Sequence, residues 1–223
     1  MTGFSPVTHP IPAWARWAAV IWLAIWVPTY LYVWGASSFL FLCDLALLLT
    51  CIGLVTGNAL LLSSQAVSSL VVDAVWFADI SSKLLFGRHF LSGTEYFFDA
   101  RYPLGVRLMS TFHVVLPVIL LLALSRTGYD SRALRLQSLI AWLVLIASRF
   151  AGPQKNINFA FTDPFFRRSW GPAPVHLAVI LLPLILLIYV PTHVLLRRYF
   201  PQPQAQTSES PLVAVEESPV DNA

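Results

Sequence analysis

Long apolar stretches separated by short polar connections dominate the chain. A transmembrane helix needs roughly 20 apolar residues to cross about 30 Å of hydrocarbon. Six stretches reach or approach this length: 17–34, 39–55, 59–80, 108–125, 136–150 and 175–196. The pattern therefore predicts an all-α polytopic membrane protein, a bundle of about six transmembrane helices.

The segments between and beyond these stretches divide the chain further. Residues 1–16 are predicted to form an N-terminal tail, and residues 17–199 form the membrane domain. Residues 200–223 are rich in Pro, Ser and Glu, a composition typical of a disordered polar tail. Two long connections, 81–107 and 151–174, carry aromatic and cationic residues, which favours a position at the membrane interface.

Six spans would place both ends of the membrane domain on one side, which we name end A. Both long connections would then emerge on the opposite side, end B. Cations occur at both ends, so their distribution only slightly favours one orientation of the bundle in the membrane. The arginines expected at end A are Arg16, Arg126, Arg132, Arg135, Arg197 and Arg198. Their density in one short turn and at the last helix end favours end A as cytoplasmic, in a bacterial inner membrane.

The composition agrees with a membrane protein. Hydrophobic residues make up 57% of the chain and charged residues 11%, with a mean hydropathy of +0.69, whereas soluble domains carry about 25% charged residues. The formal net charge is only +3 and its cations are spread over the connections, which argues against a nucleic-acid-binding surface. Membrane lipids are therefore the expected partners, and no nucleic acid is.

Neither cysteine indicates a disulfide or a metal site. Cys43 and Cys51 lie eight residues apart in one predicted helix, about 12 Å along its axis, which is beyond disulfide reach. The sequence has no Cys/His metal spacing and no Gly-rich phosphate loop. We therefore predict no metal and no cofactor.

Ionisable side chains inside the predicted spans are the candidates for chemistry, because a charge in hydrocarbon costs several kcal/mol unless it finds a partner. Asp44 and Asp73 are expected at similar depth below end B. Gln65, Ser69 and Asp73 recur every four residues, so they form one stripe that should face the bundle interior. Each carboxylate has two interpretations: an interhelical hydrogen bond, or a functional group that binds a cation or relays protons.

Asp79 differs from Asp73 although both belong to the third stretch. It lies six residues further on, on another face of the helix. Lys83 follows it by four residues, the favoured order for an ion pair at a helix end. The spacing predicts that Asp79 is an interfacial anchor paired with Lys83.

His113 is the candidate base, because histidine titrates near neutrality without a large shift. The alternative is a histidine satisfied by a neighbouring helix. Other polar residues are expected beside it at end B as substrate-binding candidates: Asn156, Asn158, Asp99, Glu95 and Arg149. For the two asparagines, turn capping is an equally good interpretation.

Several segments together resemble a group of bacterial multi-pass membrane proteins of undefined activity. They are FLCDLALLLT, FHVVLP, GPQKNINFAF and the aspartates of the third stretch. More distantly, an Asn-containing loop followed by Gly-Pro and a last apolar helix is similar to the YwaF-like integral membrane family. That resemblance implies phospholipid acyl transfer, and it would involve His113, Asn156 and Asn158.

The sequence therefore leaves three hypotheses open. The first is a lipid-binding or lipid-modifying protein with a polar chamber near end B, in which Asp44, Asp73 and His113 take part. The second is a small proton- or cation-coupled transporter that uses the two aspartates. The third is a non-enzymatic membrane assembly subunit.

Overall fold

A computed structural model describes residues 10–91 and 93–201 of the chain, and these residues form helices and connecting loops without a strand. The predicted all-α class is therefore confirmed. The α-helices are α1 (Ala13–Trp34), α2 (Leu42–Thr56), α3 (Ala59–Phe86), α4 (Leu104–Met109), α5 (Phe112–Thr127), α6 (Ala133–Ser148), α7 (Ala173–Pro183) and α8 (Val190–Tyr199). Most of the predicted tails, residues 1–9 and 202–223, lies outside the described residues.

Five helical stretches among the described residues are long and apolar enough to cross a membrane. They are Ala13–Trp34, Ala59–Phe86, Leu104–Thr127, Ala133–Ala151 and Ala173–Tyr199. The remaining predicted span corresponds to α2, which has only 15 residues, or about 22 Å of helix. The protein is therefore an integral multi-pass membrane protein.

The second predicted stretch is shortened by a backbone break. Residues Ala36–Leu40 form a separate 3-10 turn, and Phe41 is extended with φ −63° and ψ 132°. The α-helix therefore begins only at Leu42, and Asp44 lies in its first turn. The predicted stretch begins at residue 39, so Asp44 lies nearer the start of its helix than the sequence indicated.

The third predicted stretch is longer than expected. It continues past residue 80 to Phe86 and ends at Gly87, whose φ of 72° is left-handed and whose N–H donates to the Lys83 carbonyl. Glycine adopts this conformation without a Cβ penalty, which makes it a common helix end. Because α3 has 28 residues, Asp73 lies at the middle of the helix rather than near its end-B terminus.

Contacts between loops define the two ends of the bundle. At end A, the Tyr129 N–H donates to the Phe200 carbonyl at 2.8 Å, and the Asp130 N–H donates to the Ser63 hydroxyl at 2.9 Å. At end B, the Leu42 N–H donates to Asn158 Oδ1 at 2.9 Å. The loop 149–172 therefore covers end B, where the Phe90 N–H of the loop after α3 also donates to Asp79 Oδ1 at 2.8 Å.

Helix α3 is the most buried of the five long helices and packs against α2, α5 and α6. Gly53 of α2 faces Leu62 so closely that a Cβ at this position would lie 3.0 Å from the leucine side chain. Small residues allow this close approach in membrane bundles. By contrast, the outer faces carry exposed apolar side chains such as Trp14, Ile21 and Leu187, as expected where they meet lipid.

The last span contains an irregular turn. Residues Leu184–Tyr189 form a π-helix directly after Pro183. Proline lacks the N–H that an α-helix needs at this point, and wide turns of this kind are frequent at functional sites. The π-helix ends at Tyr189, which is buried and whose hydroxyl accepts a hydrogen bond from Gln137 Nε2 at 3.3 Å.

Candidate functional site

Asp73 is the one carboxylate whose two oxygens are both buried and without a hydrogen-bond partner among the described residues. Its exposed fraction is 0%. At mid-helix the backbone N–H groups are already used within the helix, so they offer the carboxylate no stabilisation. Buried polar groups are nearly always satisfied, and an exception in a membrane helix indicates a functional group.

Asp44 is buried too, but its surroundings differ. It lies in the first turn of α2, where the unpaired N–H groups and the helix dipole stabilise a negative charge. Asp44 belongs to α2 and Asp73 to α3, and these two helices pack against each other.

His113 is the second residue of α5 and is buried. Its Nδ1 lies 2.7 Å from the Ser110 carbonyl oxygen, which can only accept, so Nδ1 carries the proton and Nε2 is the acceptor nitrogen of the neutral ring. The ring stacks on Trp76, with centroids 4.6 Å apart and planes at 8°. Trp76 follows Asp73 by three residues, so His113 stacks on a residue that lies about one helical turn from Asp73 on α3.

Hydrogen bonds extend this region to other helices and to the end-B loop. Tyr30 of α1 and Ser110 share a hydrogen bond of 2.9 Å. The Trp76 indole N–H donates to the Tyr96 hydroxyl at 3.3 Å. We call the set Tyr30, Asp44, Asp73, Trp76, Tyr96, Ser110 and His113 the end-B cluster.

A buried polar row continues from Asp73 along α3 toward end A. Its members are 0–4% exposed: Ser63, Ser64, Gln65, Ser68 and Ser69. Gln65 Nε2 donates to Ser64 at 2.8 Å, and Gln137 Nε2 of α6 donates to Ser68 at 2.9 Å. The Ser69 hydroxyl and Gln137 Oε1 are buried and find no partner within residues 10–91 and 93–201. The predicted stripe on α3 therefore faces the bundle interior.

Asn158 has a structural role that fits the capping interpretation. Its Oδ1 accepts from the Leu42 N–H, and its Nδ2 donates to the Leu40 carbonyl at 2.6 Å and to the Ser148 hydroxyl at 2.9 Å. Because Leu42 is the first residue of α2, this side chain satisfies one of the unpaired N–H groups of that helix. Asn158 thereby ties the end-B loop to α2 and α6.

Asn156 organises its own loop in the same manner. Its Oδ1 accepts from the N–H groups of Phe161 and Thr162, and its Nδ2 donates to Thr162. Its φ of 39° is left-handed, a conformation that asparagine tolerates better than most residues. Substrate binding by Asn156 and Asn158 stays a prediction.

The remaining predicted substrate-binding residues have partners within the protein. Arg149 Nη1 donates to the Ala160 carbonyl at 2.8 Å, and its guanidinium lies 3.8 Å from the Phe161 ring centroid. Asp99 pairs with Arg101 at 2.6 Å, and those hydrogen bonds lower the pKa of Asp99. Glu95 accepts from the Gly93 N–H at 2.6 Å. Their predicted role in binding substrate also remains untested.

Asp79 is not the interfacial partner of Lys83 that its spacing predicted. Its exposed fraction is 0%, and its oxygens accept hydrogen bonds from the end-B loop, while Lys83 donates to the Gly87 carbonyl at 2.9 Å. The donors to Asp79 are His89 Nδ1 at 2.7 Å, the Phe90 N–H at 2.8 Å, the Leu91 N–H at 2.9 Å and the Thr94 hydroxyl. The prediction failed because the loop folds back over the end of α3.

Sequence reasoning also missed a buried polar group where the second loop meets α7. His176 is 0% exposed, its Nε2 lies 2.9 Å from the Phe159 carbonyl, and its Nδ1 accepts from the Trp170 N–H at 3.2 Å. Asp163 accepts from the N–H groups of a tight turn and from the Trp170 indole. Burial opposes its ionisation, but these hydrogen bonds lower the pKa of Asp163 below its ordinary value.

Among the described residues, His, Cys, Asp and Glu form no group of three or more that could hold a metal ion. Comparison of the chain with protein-family models, with curated proteins and with solved structures gives no match. The resemblance to the YwaF-like family therefore stays a prediction, and the function has to be argued from the site.

Proposed function

We propose that the protein handles protons at Asp73, as a small proton-coupled membrane transporter. The observation that carries the proposal is the pair of buried Asp73 oxygens, for which the described part of the chain offers no hydrogen-bond partner. An ionised carboxylate in such a place costs several kcal/mol. The group must therefore hold a proton or meet a donor supplied by a ligand.

The surroundings of Asp73 favour a proton. Serine and tyrosine hydroxyls and the glutamine side chain can each donate and accept a hydrogen bond. Ser63 and Asp73, the two ends of the polar row, are ten residues apart on α3, about 15 Å along the helix axis. Toward end B, the indole N–H of Trp76, one helical turn after Asp73, donates to the Tyr96 hydroxyl at 3.3 Å, but an indole is only a donor and cannot itself pass a proton on. A row of groups that both accept and donate beside a buried acid is the arrangement that a proton relay needs.

A flux measurement tests this function. Protein reconstituted into liposomes with an internal pH dye is driven by a potassium diffusion potential, and the initial rate of proton entry is recorded. We expect wild-type flux above that of protein-free liposomes and a return to that background in Asp73→Asn, because an amide cannot take up a proton at this position.

The matched control is Asp99→Asn, which removes a carboxylate from the end-B loop outside the cluster and should leave the flux unchanged. Wild-type flux in folded Asp73→Asn protein would contradict the proposal. A flux that depends on Na⁺ but not on pH would assign the site to a cation instead.

Lipid modification at His113 is the second candidate function. The observation in its favour is the fixed tautomer, because the Ser110 carbonyl holds the proton on Nδ1 and leaves Nε2 as the basic nitrogen. His113→Gln should then abolish acyl transfer by the purified protein on phospholipids. Unchanged transfer in this variant would remove the catalytic role.

We also propose a bacterial inner membrane with end A in the cytoplasm. The argument is the density of arginine at end A, as in Arg132, Arg135 and Arg197. A cysteine at Arg101 should be labelled from outside intact cells by an impermeant maleimide, and one at Arg197 should be protected. The opposite labelling would reverse the orientation.

A further inference from the structure

An apolar groove lies on the membrane-facing side of α1, α2 and α5, away from Asp73. Its volume is about 490 Å³, within the range of ligand-binding clefts. Along α5 it is lined from Thr111 to Arg126, about 22 Å at helical rise. The exposed lining residues Trp14, Val115 and Leu122 show that the groove is open on the outer face.

The end-A mouth of the groove is cationic. Arg126 lines it, and Arg16 lies at the same end, with its Nη2 3.9 Å from the position of a Cβ on Gly57. The ion pairs among the described residues are formed by other side chains. Arg16 Nε is moreover buried and has no hydrogen-bond partner among the described residues. Two arginines at one end of the groove, neither with a counter-ion in the described part of the chain, are complementary to an anion.

Two residues that line the groove more deeply each carry a buried polar atom. Thr50 Oγ1 and Trp22 Nε1 both belong to lining residues, and both are buried without a partner among the described residues. Thr50 is 1% exposed and lies six residues before the end of α2, about 9 Å below it. Both atoms can donate a hydrogen bond to an ester carbonyl.

We infer that this groove binds one anionic phospholipid from the leaflet at end A. One acyl chain lies along α5, the phosphate meets Arg126 and Arg16, and the ester carbonyls face Thr50 and Trp22. The roughly 22 Å of groove accommodates the glycerol region together with the ~15 Å of hydrocarbon in one leaflet. An inorganic phosphate would leave the apolar length uncovered, so the occupant is a lipid. The inference does not rest on the proposed proton function.

Native mass spectrometry of the full chain in detergent tests the inference, with phosphatidylglycerol and phosphatidylcholine of identical acyl chains as probes. We expect wild-type protein to bind one phosphatidylglycerol at least tenfold more tightly than phosphatidylcholine. The double variant Arg16→Gln/Arg126→Gln should lose that preference. The matched control is Arg135→Gln, which removes an exposed end-A charge on α6 and should keep it.

A second variant tests whether the lipid occupies the groove itself and not only the charged surface beside it. Ala18 is an exposed lining residue, so Ala18→Trp fills the groove without entering the core and should weaken binding of both lipids at least tenfold. Equal binding of the two lipids by wild-type protein would overturn the inference. So would an Arg135→Gln loss as large as that of the double variant, or full binding by Ala18→Trp.

Discussion

Replacing Asp79 with alanine should release the first part of the end-B loop from α3. Asp79 Oδ1 accepts from the N–H groups of Phe90 and Leu91, and Oδ2 accepts from His89 Nδ1 and the Thr94 hydroxyl. All four donors belong to the loop that follows α3. The side chain therefore holds these four loop residues against the helix through one buried group.

The size of the effect follows from these contacts. A hydrogen bond to a charged group contributes about 1.5–3 kcal/mol, but bonds that share an acceptor do not add. Removal of one partner from a buried charge pair typically costs about 3–5 kcal/mol. His89 keeps 16% of its side chain exposed, so water can satisfy it in part. We expect a loss near the lower limit, about 3 kcal/mol.

Asp79→Asn tests the two carboxylate oxygens separately, because an asparagine can keep the hydrogen bonds of only one of them. The amide oxygen can replace Oδ1 and keep the Phe90 and Leu91 bonds. The amide NH₂ replaces Oδ2, and His89 must then accept a hydrogen bond in its other tautomer. We expect a loss of about 1–2 kcal/mol, because one charge-assisted contact becomes neutral.

Hydrogen exchange measured by mass spectrometry in nanodiscs reads the opening of residues 87–94 directly. Asp79→Ala should exchange the Phe90 and Leu91 amides about 100-fold faster, which corresponds to about 3 kcal/mol of local stability. The control, Lys83→Ala, removes the partner that sequence spacing suggested and should leave both amides protected. Wild-type protection in Asp79→Ala, or equal loss in Lys83→Ala, would refute the structural account.

Three further substitutions test the packing and the second loop. Asn158→Ala removes three hydrogen bonds that join the loop to α2 and α6 and should cost about 2–3 kcal/mol, read as a lower Tm; an unchanged Tm would contradict its capping role. Gly53→Ala should overpack against Leu62, which reduces the free energy of unfolding by about 1–3 kcal/mol and lowers the Tm. The control Gly105→Ala, whose new Cβ meets nothing within 4 Å, should not lower the Tm. Equal effects of the two substitutions would argue against close α2–α3 packing. Folding lowers the pKa of Asp163, so its stabilisation of the loop should be complete above the ordinary aspartate pKa and lost as the pH falls through the lowered pKa. Trp170 fluorescence should follow this loss in the wild-type protein, and Asp163→Asn should remove the acid dependence. An unaltered pH profile in that variant would contradict the role of Asp163.

Much of the fold was predictable because hydrophobic length alone decides where a chain can cross a bilayer. The stretch 59–80 shows the limit of that reasoning. Its polar residues from Asp79 onward suggested a helix end, but a loop that returns to the helix buries Asp79 and lets α3 continue. Such a return depends on tertiary contacts that local sequence does not encode. The break at Phe41 was missed for the same reason, since Asn158 caps the following helix from a distant loop.

The candidate site was predictable where it depends on helix periodicity. The stripe of Gln65, Ser69 and Asp73 faces the interior as its four-residue spacing predicted. The stacking of Trp76 on His113 and the capping role of Asn158 were not predictable. Both depend on which helices and loops are neighbours at end B, and a single sequence carries no periodic signal for that.

The central claim is that the buried carboxyl of Asp73 carries a proton, and infrared spectroscopy observes that proton directly. The membrane-reconstituted protein at neutral pH should show the C=O stretching band of a protonated carboxylic acid. Part of that band should be missing in Asp73→Asn and present in Asp99→Asn. An identical band in wild-type and Asp73→Asn protein would show that Asp73 is ionised and would contradict the account.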